Sequence, residues 1–239
     1  MQYYILTHSS NPTVTGKTRN VVNVLDDGEM GGHPGFSAFF RSPVPEDAVL
    51  PKYQLARSAK KTDLLARITG VSLPFYSIIS KNLLCILQDG FNSPASQFLQ
   101  LNIADSSGSP LDYFLFHQYV FMDEYIDFTL SKFSRTTYDF SHNPPAKSVV
   151  PFQVNDAHEL RSKIENQKGT VSTQALFLDT QNIVHDFFVI SKPHCWIVNE
   201  HLVKRIKQED ITGVVLIPLV QGEDFSTENV VTKARKFDQ

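Results

Sequence analysis

Residues 199–220 read NEHLVKRIKQEDITGVVLIPLV, and this stretch decides the fold class. Asn199 is a helix cap, and from Glu200 to Glu209 the apolar Leu202, Val203 and Ile206 fall on one face of a 3.6-residue period. Glu200 and Lys204 stand at the spacing that supports a helix from its solvent side. Gly213 ends the helix. Val214 to Val220 is an almost wholly apolar run of strand length, the pattern of a strand inside a sheet. A short amphipathic helix feeding directly into a strand predicts a chain in which helices flank a sheet.

The same grammar recurs upstream. Ser80 caps a helix from Lys81 to Gln88 with Leu83, Leu84 and Leu87 inward and Gly90 past its end. Asp156 with Glu159 forms a capping box that opens a helix carrying Leu160 and Ile164 and ending at Gly169. Thr62 is read as the cap of a further short helix through Ile68, with Leu64, Leu65 and Ile68 on one face and Gly70 as its stop. Strands are expected at Gln2–Leu6, Asn20–Leu25, around Leu99, Leu101 and Ile103, at Leu111–Met122, Tyr125–Phe133, Ala175–Asp179 and Asp186–Ser191. The polar break Asp123-Glu124 between two apolar runs reads as a hairpin tip. Asn143-Pro144-Pro145 interrupts the chain again.

These elements predict an α+β domain over residues 1–239: one mixed, mostly antiparallel sheet flanked by several short helices. Residues 11–51 are dense in Pro and Gly, so residues 1–52 are read as an irregular arm that Phe36, Phe39 and Phe40 can clamp onto the body at 53–220. Residues 221–239 are read as a polar, fraying tail. Two stretches echo one another: Phe75 to Ile103 and Phe187 to Leu219 share the order of an aromatic pair, Ile-Ser-Lys, helix, loop and strand. Ile79-Ser80-Lys81 answers Ile190-Ser191-Lys192. A diverged duplication accounts for this, as does common local strand-to-helix chemistry.

Charge gives no broad reason to bind a polyanion: 22 Lys and Arg stand against 25 Asp and Glu, a net charge of −3. The first residues lack the basic and apolar regions of a secretory signal, and no run approaches a membrane span. Cys85 and Cys195 both lie in apolar segments and are expected to be buried, reduced thiols, as in a reducing cytosol.

Chemical motifs fail on spacing or context. Thr15-Gly16-Lys17-Thr18 resembles the end of a phosphate loop, but Asn11 stands where a glycine is required, and Val21, Val22 and Val24 favour a strand over the necessary helix. The loop Gly28 to Gly35, with His33, lacks a strand-to-helix context. His194 and Cys195 are adjacent, so in a strand they face opposite ways. The eight histidines form no metal-ligand spacing. No catalytic, cofactor-binding or metal-binding residues are therefore expected.

The C-terminal unit resembles the closing segment of bacterial polymorphic-toxin immunity proteins, on Phe187-Phe188-Val189-Ile190-Ser191, on Trp196 to Leu202, and on Ile206 to Leu219 with its Thr212-Gly213-Val214 turn and Pro218-Leu219 end. Tyr3-Tyr4-Ile5-Leu6 and the block Leu73-Pro74-Phe75 to Ile103 are also similar to the family; residues 7–60 are not. The resemblance implies a cytoplasmic protein without an active site that binds a cognate toxin and covers it, contacting neither nucleic acid nor membrane. Asp123, Glu124, Tyr125 and Asp127, with Asp26, Asp27 and Glu29, are the residues expected to meet a basic toxin surface. A small hydrolase or transferase built on Cys195 or an acidic pair, and a plain scaffold or adaptor protein, are the alternatives.

Overall fold

The computed structural model describes residues 1–16, 22–26, 41–46, 48, 50, 52–65, 76–166, 168–192, 195–225 and 227–238. In chain order the elements are β1 (Tyr3–His8), α1 (Pro12–Thr15), β2 (Val22–Asp26), β3 (Lys52–Leu55), β4 (Leu64–Leu65), β5 (Tyr76–Ser80), α2 (Lys81–Gln88), β6 (Ser96–Gln100), β7 (Asn102–Ala104), β8 (Pro110–Leu111) and β9 (Tyr113–Gln118). They continue with β10 (Lys132–Asp139), β11 (Ala146–Phe152), α3 (Ala157–Asn166), β12 (Thr170–Ala175), β13 (Phe187–Ile190), β14 (Cys195–Asn199), α4 (Glu200–Gln208), β15 (Val214–Pro218) and α5 (Thr227–Phe237). The class is α+β, as read from sequence. The single sheet is not: among the described residues the strands form four sheets, β13-β14-β1-β15, β4-β5-β9-β6, β11-β10-β12 and β2-β3-β7-β8. All pairings in them are antiparallel except β3 with β7.

Capping chemistry fixes three of the four helices read from sequence. Ser80 Oγ accepts from Leu83 N at 3.2 Å, and the Asn199 side chain accepts from Leu202 N at 3.0 Å. The faces carrying Leu83, Leu84 and Leu87 and Leu202, Val203 and Ile206 are buried, and both join one core with Leu6, Phe116, Phe187 and Trp196. At α3 the Asp156 carboxylate accepts from Glu159 N at 2.7 Å, while Glu159 reaches back one residue further than a capping box, to Asn155 N at 2.9 Å. Gly213 follows α4 with φ +79°, and a Cβ there would sit 2.4 Å from Leu64 O, so only glycine fits.

Two of the four-stranded sheets, β13-β14-β1-β15 and β4-β5-β9-β6, match strand for strand. In one, Asn199 of β14 stands opposite Tyr3 of β1, and Ile5 of β1 opposite Ile217 of β15. In the other, Ser80 of β5 stands opposite Tyr113 of β9, and Leu115 of β9 opposite Leu99 of β6. In each, a helix joins the two strands flanking the central one, and a further strand, β13 or β4, completes the far side. One face of each sheet contributes to the core around α2 and α4. The opposite faces pack separately, Tyr3, Ile5, Ile197 and Ile217 against Phe133, Leu160 and Val171, and Tyr113, Leu115 and Ile78 against Tyr53 and Ile103.

Several local expectations are corrected. Leu64 and Leu65 form a strand paired with Ile79 and Ile78, in place of a helix capped by Thr62; Ile68 and Gly70 lie outside the described residues. The run Val214–Pro218 is an edge strand, kept from solvent by the neighbouring α5. The tail is accordingly a helix, anchored by fully buried Phe225 and by Asp238, whose carboxylate accepts from Asn11 N at 2.8 Å. Cys85 is exposed on the outer side of α2. The echo between the two stretches is real in order but shifted in phase: Ile79-Ser80-Lys81 occupies the place of Val198-Asn199-Glu200, not of Ile190-Ser191-Lys192.

Candidate partner-binding surface

The acidic segment is not a solvated hairpin tip. Met122 N donates to Val189 O at 2.8 Å and pins the chain beside β13, and a 3-10 turn over Asp123–Tyr125 follows. That turn carries Asp123 inward, to 0% exposure. Its carboxylate accepts from Ser191 N and Ser191 Oγ, both at 2.6 Å, and from Arg161 Nε at 3.0 Å; Arg161 Nη2 also donates to Phe121 O at 3.1 Å. A buried carboxylate held by three donors is a structural tie between β13, α3 and the turn.

Its neighbours divide. Tyr125 is buried, its hydroxyl 2.6 Å from His185 Nδ1. Asp127 stays near the surface but closes its own turn, accepting from Thr129 Oγ1 at 2.6 Å, Thr129 N at 2.9 Å and Leu130 N at 3.2 Å; these bonds, the hydroxyl foremost, hold its carboxyl below the ordinary range. Glu124 alone of the four is well exposed, with Arg161 Nη2 3.9 Å away. Asp26 ends β2 opposite Lys52, and Asp27 and Glu29 lie outside the described residues, as do Lys17, Thr18, His33 and the loop around it. The structure commits Asp123 and Tyr125 to the interior, so these two take no part in an exposed acidic patch.

Burial pushes the His185 imidazole below its usual pKa, so near neutral pH it is uncharged and its Nδ1 accepts from Tyr125. A histidine with a depressed folded pKa contributes stability that is full above the unfolded value of about 6.5 and is lost as pH falls from there through the folded pKa. The urea midpoint is expected to drop between pH 7 and pH 5, and His185→Gln to flatten that drop. An unchanged pH profile in the variant would show that another group sets it.

The chemical candidates gain nothing from the geometry. Burial pushes the Cys195 thiol up to about 12, which leaves little thiolate for nucleophilic attack at neutral pH. His194 lies outside the described residues.

A surface not anticipated from sequence is the β10–β11 hairpin. β10 pairs with β12 only from Lys132 to Thr136, but with β11 as far as Asp139 opposite Ala146. Beyond Thr136 the hairpin is therefore a free two-stranded ribbon, projecting on the order of 10 Å at about 3.3 Å per residue. Every residue from Tyr138 through Pro151 is exposed. Its base is fixed: Phe133 is buried and stacks on Phe152 at 6.1 Å between centroids, with the Arg135 guanidinium 5.3 Å from the Phe152 ring.

Four of the nine large hydrophobics exposed among the described residues sit on this ribbon: Tyr138 (52%), Phe140 (78%), Val149 (50%) and Val150 (56%). Tyr138 and Phe140 hold their rings 6.2 Å apart at the tip. Residues 132–152 carry Lys132, Arg135 and Lys147 against Asp139 alone, a local charge of +2 on a chain of −3. Sequence reasoning passed over it because Asn143-Pro144-Pro145 looked like a mere interruption; the available signal was the apolar residues on either side of it. No protein-family model matches the chain, and no curated protein does.

Proposed function

We propose that this chain is an immunity-type inhibitor, which binds a toxin protein through the β10–β11 finger and so occludes it in the cytoplasm. The observation that carries the reading is the finger itself, a rigidly based ribbon that keeps Tyr138, Phe140, Val149 and Val150 in water. Isolated exposed apolar residues are ordinary; a cluster of them, aromatic at the tip, on a projecting element has the composition of a binding hot spot. The local charge of +2 fits a partner cleft with an acidic rim, the reverse of the basic surface expected for the segment at Asp123. The likeness of the C-terminal unit to immunity proteins supports the same reading. No helix among the described residues is long and apolar enough to cross a membrane.

The test is binding and rescue with a toxin domain taken from the genes that flank this one. The chain is expected to protect cells that express that domain. The double variant Tyr138→Ser, Phe140→Ser is expected to weaken binding at least roughly thirtyfold, the loss of about 2 kcal/mol typical of a hot spot, while Glu124→Lys leaves it within about twofold. Unchanged affinity in the double variant removes the finger from the interface. Absence of any rescue by the unmodified chain removes the immunity reading.

A further inference from the structure

Beyond sharing strand order and register, the sheets β13-β14-β1-β15 and β4-β5-β9-β6 share the bonds that hold them together, and they share them crosswise. Asp63 takes the cap of its own helix: Ser80 N donates to Asp63 O at 2.8 Å and Ser80 Oγ to Asp63 Oδ1 at 2.5 Å. Its other oxygen serves the loop leaving the opposite helix, accepting from Thr212 N and Thr212 Oγ1 at 2.9 Å each, while Asp63 N donates to Thr212 O at 3.0 Å. Asp186 repeats these roles except the bond from the Thr212 hydroxyl, since the Asn92 side chain donates to Val184 O instead. Asn199 N donates to Asp186 O at 2.8 Å and Asn199 Nδ2 to Asp186 Oδ1 at 2.5 Å; Asn92 N donates to Asp186 Oδ2 and Asp186 N to Asn92 O, both at 2.7 Å.

The central strands are seated alike as well. Lys81 N donates to Asp112 O as Glu200 N does to Gln2 O, and Leu101 N donates to Tyr113 O as Leu219 N does to Tyr3 O. Their sequences correspond, YYILTH in β1 and YFLFHQ in β9. A recurring strand-helix-strand motif reproduces an order of elements. It does not reproduce two registers and a reciprocal set of side-chain bonds.

We propose that the chain is a fused dimer: two diverged copies of one unit of about 110 residues, the separation of Tyr3 from Tyr113, each of which has given its first strand to the sheet of the other. β1 opens the first copy yet lies between β14 and β15 of the second; β9 opens the second yet lies between β5 and β6 of the first. Each half is the other's binding partner: the middle strand of each sheet comes from the other copy, and withdrawing it leaves two rows of backbone groups unpaired.

The exposed turn Asp105–Ser109, where the copies join, offers the test. A protease site replacing Ser106–Ser109 in the full chain is cut, and the nicked protein is expected to elute and unfold as the uncut one does. After separation in denaturant, neither fragment is expected to refold as a monomer, and mixing restores the native species. A half that refolds alone as a monomer, or halves that part without denaturant, would overturn the proposal. A second measurement needs no fragments: β1 is given the sequence of β9 through Tyr4→Phe, Ile5→Leu, Leu6→Phe, Thr7→His and His8→Gln. Cooperative unfolding is expected to survive this in-register exchange and to be lost when the same six residues are placed one position out, which turns the apolar face outward. Unfolding by the in-register exchange as complete as that of the shifted control would equally refute it.

Discussion

Phe116→Ala is expected to destabilise the protein by about 4 kcal/mol, the middle of the range for removing a buried aromatic side chain. The ring is fully buried and belongs to both halves of the molecule: it stacks on Phe98 of its own sheet at 4.9 Å and meets Trp196 edge-on at 4.7 Å and Phe187 at 5.9 Å in the other. Truncation removes transfer energy, three aromatic contacts and the filling of the space between two sheets that cannot close up without shifting α2 and α4. Phe116→Leu, which installs the residue type found at the equivalent Leu6, should cost only about 1 to 1.5 kcal/mol. Equilibrium urea unfolding measures both. A loss under about 1 kcal/mol for the alanine variant would mean that the ring does not bridge the sheets.

Asp123→Ala is expected to cost about 3 kcal/mol, at the low end for breaking a buried ion pair. Two opposing effects set that figure. Ser191 N and Oγ lose their acceptor in a site closed to water, whereas Arg161, at 36% side-chain exposure, can turn toward Glu124 and solvent. Asp123→Asn keeps an acceptor and loses the charge, so it should fall between wild type and alanine. The melting temperature serves as the readout, with a drop of roughly 6 to 12 °C for the alanine variant in a chain of this size. Equal stability of the alanine variant and wild type would mean that the carboxylate is not the tie between β13 and α3. Both variants damage the scaffold and leave the finger's own residues intact, so a folded fraction should still bind.

What was legible in the sequence was local. Three capped helices are legible because cap, apolar period and stop lie within about fifteen residues, as at Asn199, Leu202, Val203, Ile206 and Gly213. The misreadings are non-local. Asp123 looks like a surface residue until Arg161 and Ser191 arrive from 38 and 68 positions away. Leu64 and Leu65 fit a helix face equally well, and pairing with Ile78 and Ile79 decides for a strand. The apolar run at Val214 reads as interior, yet what covers it is a helix whose polar composition looks like a tail. The duplication was visible as an order of elements, and matching Ser-Lys to Ser-Lys misplaced its phase, because the equivalent cap in the second copy is Asn199. The finger reads as an interruption at Asn143-Pro144-Pro145, because the apolar residues on either side of it are its one sequence signal and their exposure is encoded by no sequence period.

The position of β1 between β14 and β15 has a consequence for how the protein is made. At about 5 to 20 residues per second, His8 leaves the ribosome on the order of ten to forty seconds before Pro218. The sheet built on Leu64 to Gln118 is contiguous in the chain and can close while synthesis continues. During that interval β1, with its apolar Tyr3, Ile5 and Leu6, waits without a mate, and chaperone demand during translation should track this one strand.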